Sequence, residues 1–139
     1  MLKLLIAGPA HVSNEKQANR LKSLVWHYLR TFVLVERRAY SIVCADDTIT
    51  GRFAKMWGQT LVLPVVPYSA GIKEDILTQK DRDLIKIRDM KMIAEPDLTQ
   101  AIIFNHTNEC SDILAELQNR NKDRPPNSSN YINITRVMG

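Results

Sequence analysis

The chain has 139 residues, 45% of them hydrophobic and only 6% aromatic, which suits one globular α/β core of Val, Ile and Leu rather than a β-sandwich. Nineteen basic residues are dispersed among fifteen acidic ones, so the net charge of +4 gives a weak bias toward anions and only slight support for a nucleic-acid partner. No apolar run approaches the roughly 18 to 20 residues that span a bilayer, and Leu2–Ala7 is too short for a signal-peptide core, so no membrane association and a cytoplasmic location are expected.

In chain order, Lys3–Ala7 is an apolar strand ended by Gly8-Pro9. Asn14 offers an N-cap with Gln17 three residues on, and Ala18, Leu21, Leu24, Val25, Tyr28, Leu29 and Phe32 form a helical stripe. Phe32–Val35 reads either as the last turn of that helix or as a short strand before the charged turn Glu36-Arg37-Arg38. Tyr40–Cys44 is a β-branched strand, Ala45–Thr50 a polar turn, and Phe53, Ala54 and Trp57 recur at helical spacing, with Gly58 expected to close the helix. Leu61–Val66 is a continuous apolar run, expected as a strand buried on both faces. After the loop Ser69–Leu77, Thr78 caps a helix with Asp81 at its third position, and that helix runs to about Ala94 before Pro96. Thr99–Phe104 is a further strand, and Ser111–Asn121 a helix with Ile113, Leu114 and Leu117 inward. Asp123–Asn130 is a surface loop by composition, and Tyr131–Val137 a final strand. Strands and helices alternate throughout, which predicts a single domain with a Rossmann-like, doubly wound parallel sheet of about five strands and helices on both faces.

In such a sheet the loops that follow the strands gather at its carboxyl edge, where ligands bind. Gly8 would let a phosphate or sugar approach the backbone beside the free N–H groups of the first helix, or simply end a strand. No G-x-G-x-x-G and no G-x-x-x-x-G-K-[ST] is present, which disfavours the usual dinucleotide and P-loop sites. Thr48 and Thr50 carry hydroxyls at a helix start, fit to cap the helix or to hold a phosphate. Asp46 and Asp47 beside them would repel a phosphate, unless a cation intervenes or they take ribose hydroxyls instead. Arg88 shares a helical face with Leu84 and Met92, so its guanidinium wants a partner, either Asp97 or a bound anion. The polar segment Asn105–Cys110, with Ser111 after it, would add ligand contacts. Glu116 could be a nucleophile or acid on an N-glycosidic bond, or merely an exposed helix residue. His106, His11 and His27 have no spaced companions, so no metal site is expected and no cofactor is implied. Cys44 and Cys110 lie far apart without metal spacing and read as reduced, buried thiols. Arg120, Lys122 and Arg124 form a basic cluster that reads as a solvated helix end.

The Gly-ended first strand, the turn running into Arg52-Phe53-Ala54, Trp57, Val66-Pro67-Tyr68, and the helix with Arg88 and Met92 before Asp97 and a strand together resemble the SLOG superfamily. That superfamily includes lonely-guy phosphoribohydrolases, DNA-processing protein A and small stand-alone bacterial and phage proteins, the last being nearest in kind. The resemblance covers residues 2 to 121 and implies a nucleotide-like ligand held by Gly8, Pro9, Asp46, Thr48, Thr50, Arg88, Asn105, Thr107 and Ser111, with further copies of the chain as expected partners. Ala45 and Asp46 stand where that family has a Gly pair, Asp89 stands where Asn is usual, and its Gly-Gly-x-Gly-Thr-x-x-Glu segment is missing. The phosphoribohydrolase activity is therefore not implied. A weaker resemblance, through Ala7-Gly8-Pro9, Asp97 and Ala115-Glu116-Leu117, is to nucleoside 2-deoxyribosyltransferases and deoxynucleotide N-hydrolases. It implies Glu116 as nucleophile, with Asp97 or Glu109 assisting. A third possibility is an interaction protein that kept the fold and lost the pocket.

Overall fold

The computed structural model describes residues 2–36, 40–71, 78–104 and 111–138. Its elements are β1 (Leu2–Ala7), α1 (Glu15–Glu36), β2 (Tyr40–Ala45), α2 (Ile49–Thr60), β3 (Val65–Tyr68), α3 (Gln79–Ile93), β4 (Leu98–Phe104), α4 (Ser111–Asn121) and β5 (Asn133–Val137). The strands form one sheet in the order β3-β2-β1-β4-β5, and every neighbouring pair is parallel. The chain thus starts at the centre, winds out to β3, and returns past β1 to add β4 and β5 on the other side. The reversal of winding falls between β1 and β4.

Side-chain alternation along the central strands supplies two cores from the same strands, one on each face. Leu5, Ala7, Val43, Ala45, Ala101 and Ile103 are buried under Met92 and Ile93 of α3 and Ile113, Leu114 and Leu117 of α4. Leu4, Ile6, Ile42, Cys44, Ile102 and Phe104 face Leu21, Val25 and Leu29 of α1 and Ala54 of α2. The two helices on this second face are locked together where the Trp57 indole N–H donates to the Lys22 carbonyl at 3.0 Å and Trp57 lies 4.6 Å from the Trp26 ring. The segment Phe32–Val35, ambiguous from sequence, is the last turn of α1.

The third strand differs from the expectation. Gly58 does not close α2. The helix continues to Thr60, and its end is built on Val62, whose φ of 58° places it in the left-handed region. Val62 N–H donates to Gln59 O at 3.1 Å and Leu63 N–H to Gly58 O at 2.8 Å, the hydrogen-bond pair of a Schellman ending made without glycine. Gly58 serves close approach instead, since a Cβ there would lie 3.1 Å from Val65 Cγ2 and 3.5 Å from Ile42 Cγ1. The strand therefore starts only at Val65, and it is the edge of the sheet rather than a doubly buried strand; the exposed Pro67 is tolerated because an edge strand has a side with no ladder to break.

Other local expectations hold. Thr78 and Asp81 form a reciprocal capping box on α3. Asn121 at the end of α4 fixes the entry to β5, donating to Ile132 O at 2.7 Å and accepting from Ile132 N–H at 2.9 Å. Within the loop that precedes β5, Arg124 donates to Asn130 O at 2.8 Å, so this member of the basic cluster serves the loop's own backbone. No described helix is long and apolar enough to cross a membrane.

A partly buried polar cluster ties β1 and β3 to the end of α3. Glu95, just past α3, accepts from Lys3 Nζ of β1 at 2.6 Å and from the Tyr68 hydroxyl of β3. Burial alone would raise the Glu95 carboxyl, but the hydrogen bonds from Lys3 and Tyr68, with the Lys3 charge, outweigh it and hold the carboxyl below its ordinary value. The Tyr68 phenol is pushed up to about 12, chiefly by its hydrogen bond to Glu95. With a lowered folded pKa, the unfolded state binds the extra proton first on acidification, so the contribution of Glu95 is complete above the ordinary value of 4.5 and fades as pH falls through the depressed one. The stability advantage of the wild type over Glu95→Gln in urea unfolding is expected to shrink as pH is lowered from about 5 through the depressed Glu95 value. An advantage that stays constant over that interval would assign the cluster's role to shape rather than charge.

Candidate functional site

The parallel sheet brings the ends of β1, β2 and β4 to one edge, and contacts across it confirm their proximity. A Cβ built on Gly8 would lie 2.5 Å from Thr50 Oγ1 and 3.1 Å from Phe104 O, so the loop after β1, the start of α2 and the end of β4 meet at this glycine. Gly8 is required here by packing, because any side chain would displace Thr50. Gly51 is tighter still, with a Cβ only 1.7 Å from Ala45 O. The glycine that this turn needs thus sits five residues past Asp46, the second of the two positions where a Gly pair was anticipated.

The amino end of α2 presents no spare amide. Its first four N–H groups all have acceptors: Thr48 N–H donates to Ala45 O, Ile49 N–H to Ala10 O, Thr50 N–H to Pro9 O and Gly51 N–H to Thr48 Oγ1. The Thr48 hydroxyl donates to Ala45 O at 2.8 Å while capping the helix, and the Thr50 hydroxyl donates to Pro9 O at 2.9 Å. Thr50 is fully buried and Thr48 nearly so. Of the two threonines, offered as helix caps or phosphate ligands, Thr48 caps α2 within its own turn and Thr50 joins the α2 start to the loop after β1. Pro9 is buried and supplies a carbonyl to that joint.

Arg88 has its partners inside the protein, and neither is Asp97 or a bound anion. Its Nη1 donates to Asp47 Oδ1 at 2.9 Å, and its Nη2 and Nε donate to Asp89 Oδ1 at 2.9 and 3.1 Å. The other Asp47 oxygen accepts from Ala70 N–H at 2.9 Å, so one carboxylate ties the β2–α2 turn to α3 and to the segment after β3. The side chains of Arg88 and Asp89 are only 9% and 4% exposed. Burial pushes the Asp89 carboxyl up, against the pull of Arg88, and Asp47 and Asp112 add repulsion. One guanidinium therefore faces two carboxylates, with a third at the start of α4 near enough to be felt. This charge balance opposes an anionic ligand.

The proposed catalytic pair is split. Asp97 precedes β4, at the amino edge, where its φ is 64° and its carbonyl accepts from Lys3 N–H at 2.9 Å. Glu116 is on α4, which descends from the carboxyl edge, and is engaged by Arg120 Nε at 3.2 Å in an i, i+4 pair. Asp97 thus stands before β4 and Glu116 midway along α4, and the contacts described for each do not involve the other. Asn105, Thr107, His106, Glu109 and Cys110 lie outside the described residues; Ser111 opens α4. Cys44 is buried in the sheet, and desolvation with help from Asp46 pushes its thiol up to about 12, leaving an unreactive thiol. Among the described residues no group of His, Cys, Asp and Glu could hold a metal ion.

Asp46 has a different standing from its neighbours. It directly follows β2, is half-exposed, and its backbone is fixed by Asp46 N–H donating to Tyr68 O at 3.0 Å and by Arg52 Nε donating to Asp46 O at 3.4 Å. Sequence reasoning named Asp47 as an obstacle to phosphate or a holder of ribose hydroxyls and missed it as the partner of Arg88, because a pair 41 residues apart leaves no local signal. Comparison of the chain with family models, curated proteins and solved structures finds no match to any of them.

Removing the cation should be costly. Arg88→Ala leaves Asp47 and Asp89 facing each other without a counter-charge, and the expected loss in urea unfolding is about 3 to 5 kcal/mol at neutral pH. A loss under about 1 kcal/mol would mean that the ion pairs are surface-like in strength.

Proposed function

We propose that the chain binds a nucleotide or nucleotide-derived small molecule at the carboxyl edge of the sheet, and that it holds the ligand by its ribose hydroxyls rather than by a phosphate. The observation that carries this reading is the position of Asp46, a half-exposed carboxylate immediately after β2 and beside the Gly8 turn that ends β1. In a parallel sheet wound this way, a carboxylate at the end of the second strand is placed to accept hydrogen bonds from a ribose diol across the crevice where the winding reverses. The saturated α2 amides and the neutralised Arg88 argue against a phosphate cradle at that helix. The resemblance to the SLOG superfamily agrees with the location and with a nucleotide-derived ligand.

The saturation of α2 and Arg88 also favours a second reading, an interaction protein that retains the fold without a ligand pocket. Hydrolysis or transfer at an N-glycosidic bond through Glu116 gains no support, since Asp97 stands at the far edge and Arg120 engages the carboxylate.

The two readings separate in a calorimetric titration with ribonucleosides, their 5′-phosphates and the corresponding 2′-deoxynucleosides. The ribose reading expects a ribonucleoside to bind, its 5′-phosphate to gain little, and Asp46→Asn or loss of the 2′-hydroxyl to weaken binding by about 1.5 to 3 kcal/mol. A 5′-phosphate that binds far better than its nucleoside would restore the phosphate cradle. No binding by any of these ligands would favour the interaction protein.

A further inference from the structure

The sheet has two edges, and they are finished differently. β3 carries the exposed Pro67, which lacks an N–H and blunts that edge against pairing. β5, with the sequence Asn133-Ile134-Thr135-Arg136-Val137, has no proline, and no bulge interrupts its register with β4. Among the described residues its outer side pairs with no strand. Such an edge offers a row of backbone donors and acceptors to another strand.

Apolar surface is concentrated beside this edge. A groove between α1 and the sheet is lined by His27, Tyr28, Thr31, Phe32, Val35 and Thr135. Val35 is 70% exposed, and Leu34, on the helical stripe of His27 and Thr31, is 64% exposed. These are two of the five large hydrophobic side chains that the described surface leaves most open. An unblunted edge and an apolar patch at the same margin together mark an association surface rather than a chance exposure.

We infer that β5 pairs with β5 of a second copy of this chain, antiparallel about a two-fold axis at Thr135. The register follows from the strand itself. Centring on Thr135, its middle residue, is the only symmetric alignment that pairs all five positions, placing Asn133 opposite Val137, Ile134 opposite Arg136 and Thr135 opposite its own copy. Opposed residues in an antiparallel pair share a face, so each Arg136 stem lies over an Ile134, the two Thr135 side chains meet, and no like charges stand opposite each other. Strand pairing over five residues buries less than a stable interface requires, and the apolar margin of Leu34 and Val35 supplies area next to it. The association does not depend on the ligand reading.

Thr135 is exposed, so charge can be placed there without disturbing the core. Light scattering coupled to size exclusion should give the wild-type chain twice its 15.9 kDa mass at micromolar concentration. Thr135→Lys and Thr135→Glu should each run as a folded monomer, with helix content by circular dichroism unchanged, because the axis sets like charges against each other. An equimolar mixture of the two should recover the doubled mass, since Lys then meets Glu across the axis. A monomeric wild type would overturn the proposal. So would a dimer or larger assembly that survives Thr135→Lys, or two monomeric variants that fail to associate when mixed.

Discussion

The ion pairing of Arg88 with Asp47 and Asp89 is the constraint on which the carboxyl edge depends. A guanidinium brought to 9% exposure must be matched by acceptors, and all three of its bonds described here end on these two carboxylates. Asp47 carries the coupling outward, since its second oxygen holds the Ala70 amide. The β2–α2 turn, α3 and the chain leaving β3 are therefore positioned by one charge network, which aligns elements that backbone pairing in the sheet does not reach. Its net sign is negative. Desolvation keeps Asp89 less acidic than usual, and the nearby carboxylates of Asp47 and Asp112 reinforce that effect.

A second joint complements the first without charge. The loop after β1 gives the carbonyls of Pro9 and Ala10 to the amides of α2, and Thr48 and Thr50 complete the set. Gly8 and Gly51 exist to let these groups close, as the short distances to a hypothetical Cβ show. The helix end that would ordinarily attract an anion is spent on holding the fold. Chemistry at this edge is thereby moved away from amides and cations toward carboxylates, and Asp46 is the half-exposed carboxylate placed at the end of β2.

Much of the architecture was legible in the sequence because it rests on local signals. Apolar strands alternating with amphipathic helices led to a parallel sheet, and the Thr78–Asp81 pair located a helix start to the residue. Where the reading failed, a residue acted outside its usual preference. Val62 took a left-handed conformation ordinarily given to glycine, so Gly58 was taken for a terminator, and an apolar run was assigned to a buried strand that is in fact a helix end and an edge. The candidate site was legible as a place but not as a set of bonds. Thr48, Thr50 and Arg88 were all named from the sequence, yet the groups that satisfy Thr50 and Arg88 come from Pro9 and Asp47, 41 positions away in each case. Glu95, Tyr68 and Lys3 went unnoticed for the same reason.

The central claim, that Arg88 is committed to Asp47 within the fold, is tested most directly by a double-mutant cycle on unfolding free energy with Asp47→Asn and Arg88→Met. The account predicts a coupling of about 1.5 to 3 kcal/mol, the range for a hydrogen bond between charged groups removed from water. Additivity of the two substitutions within about 0.5 kcal/mol would contradict it and return Arg88 to the set of groups free to meet a ligand.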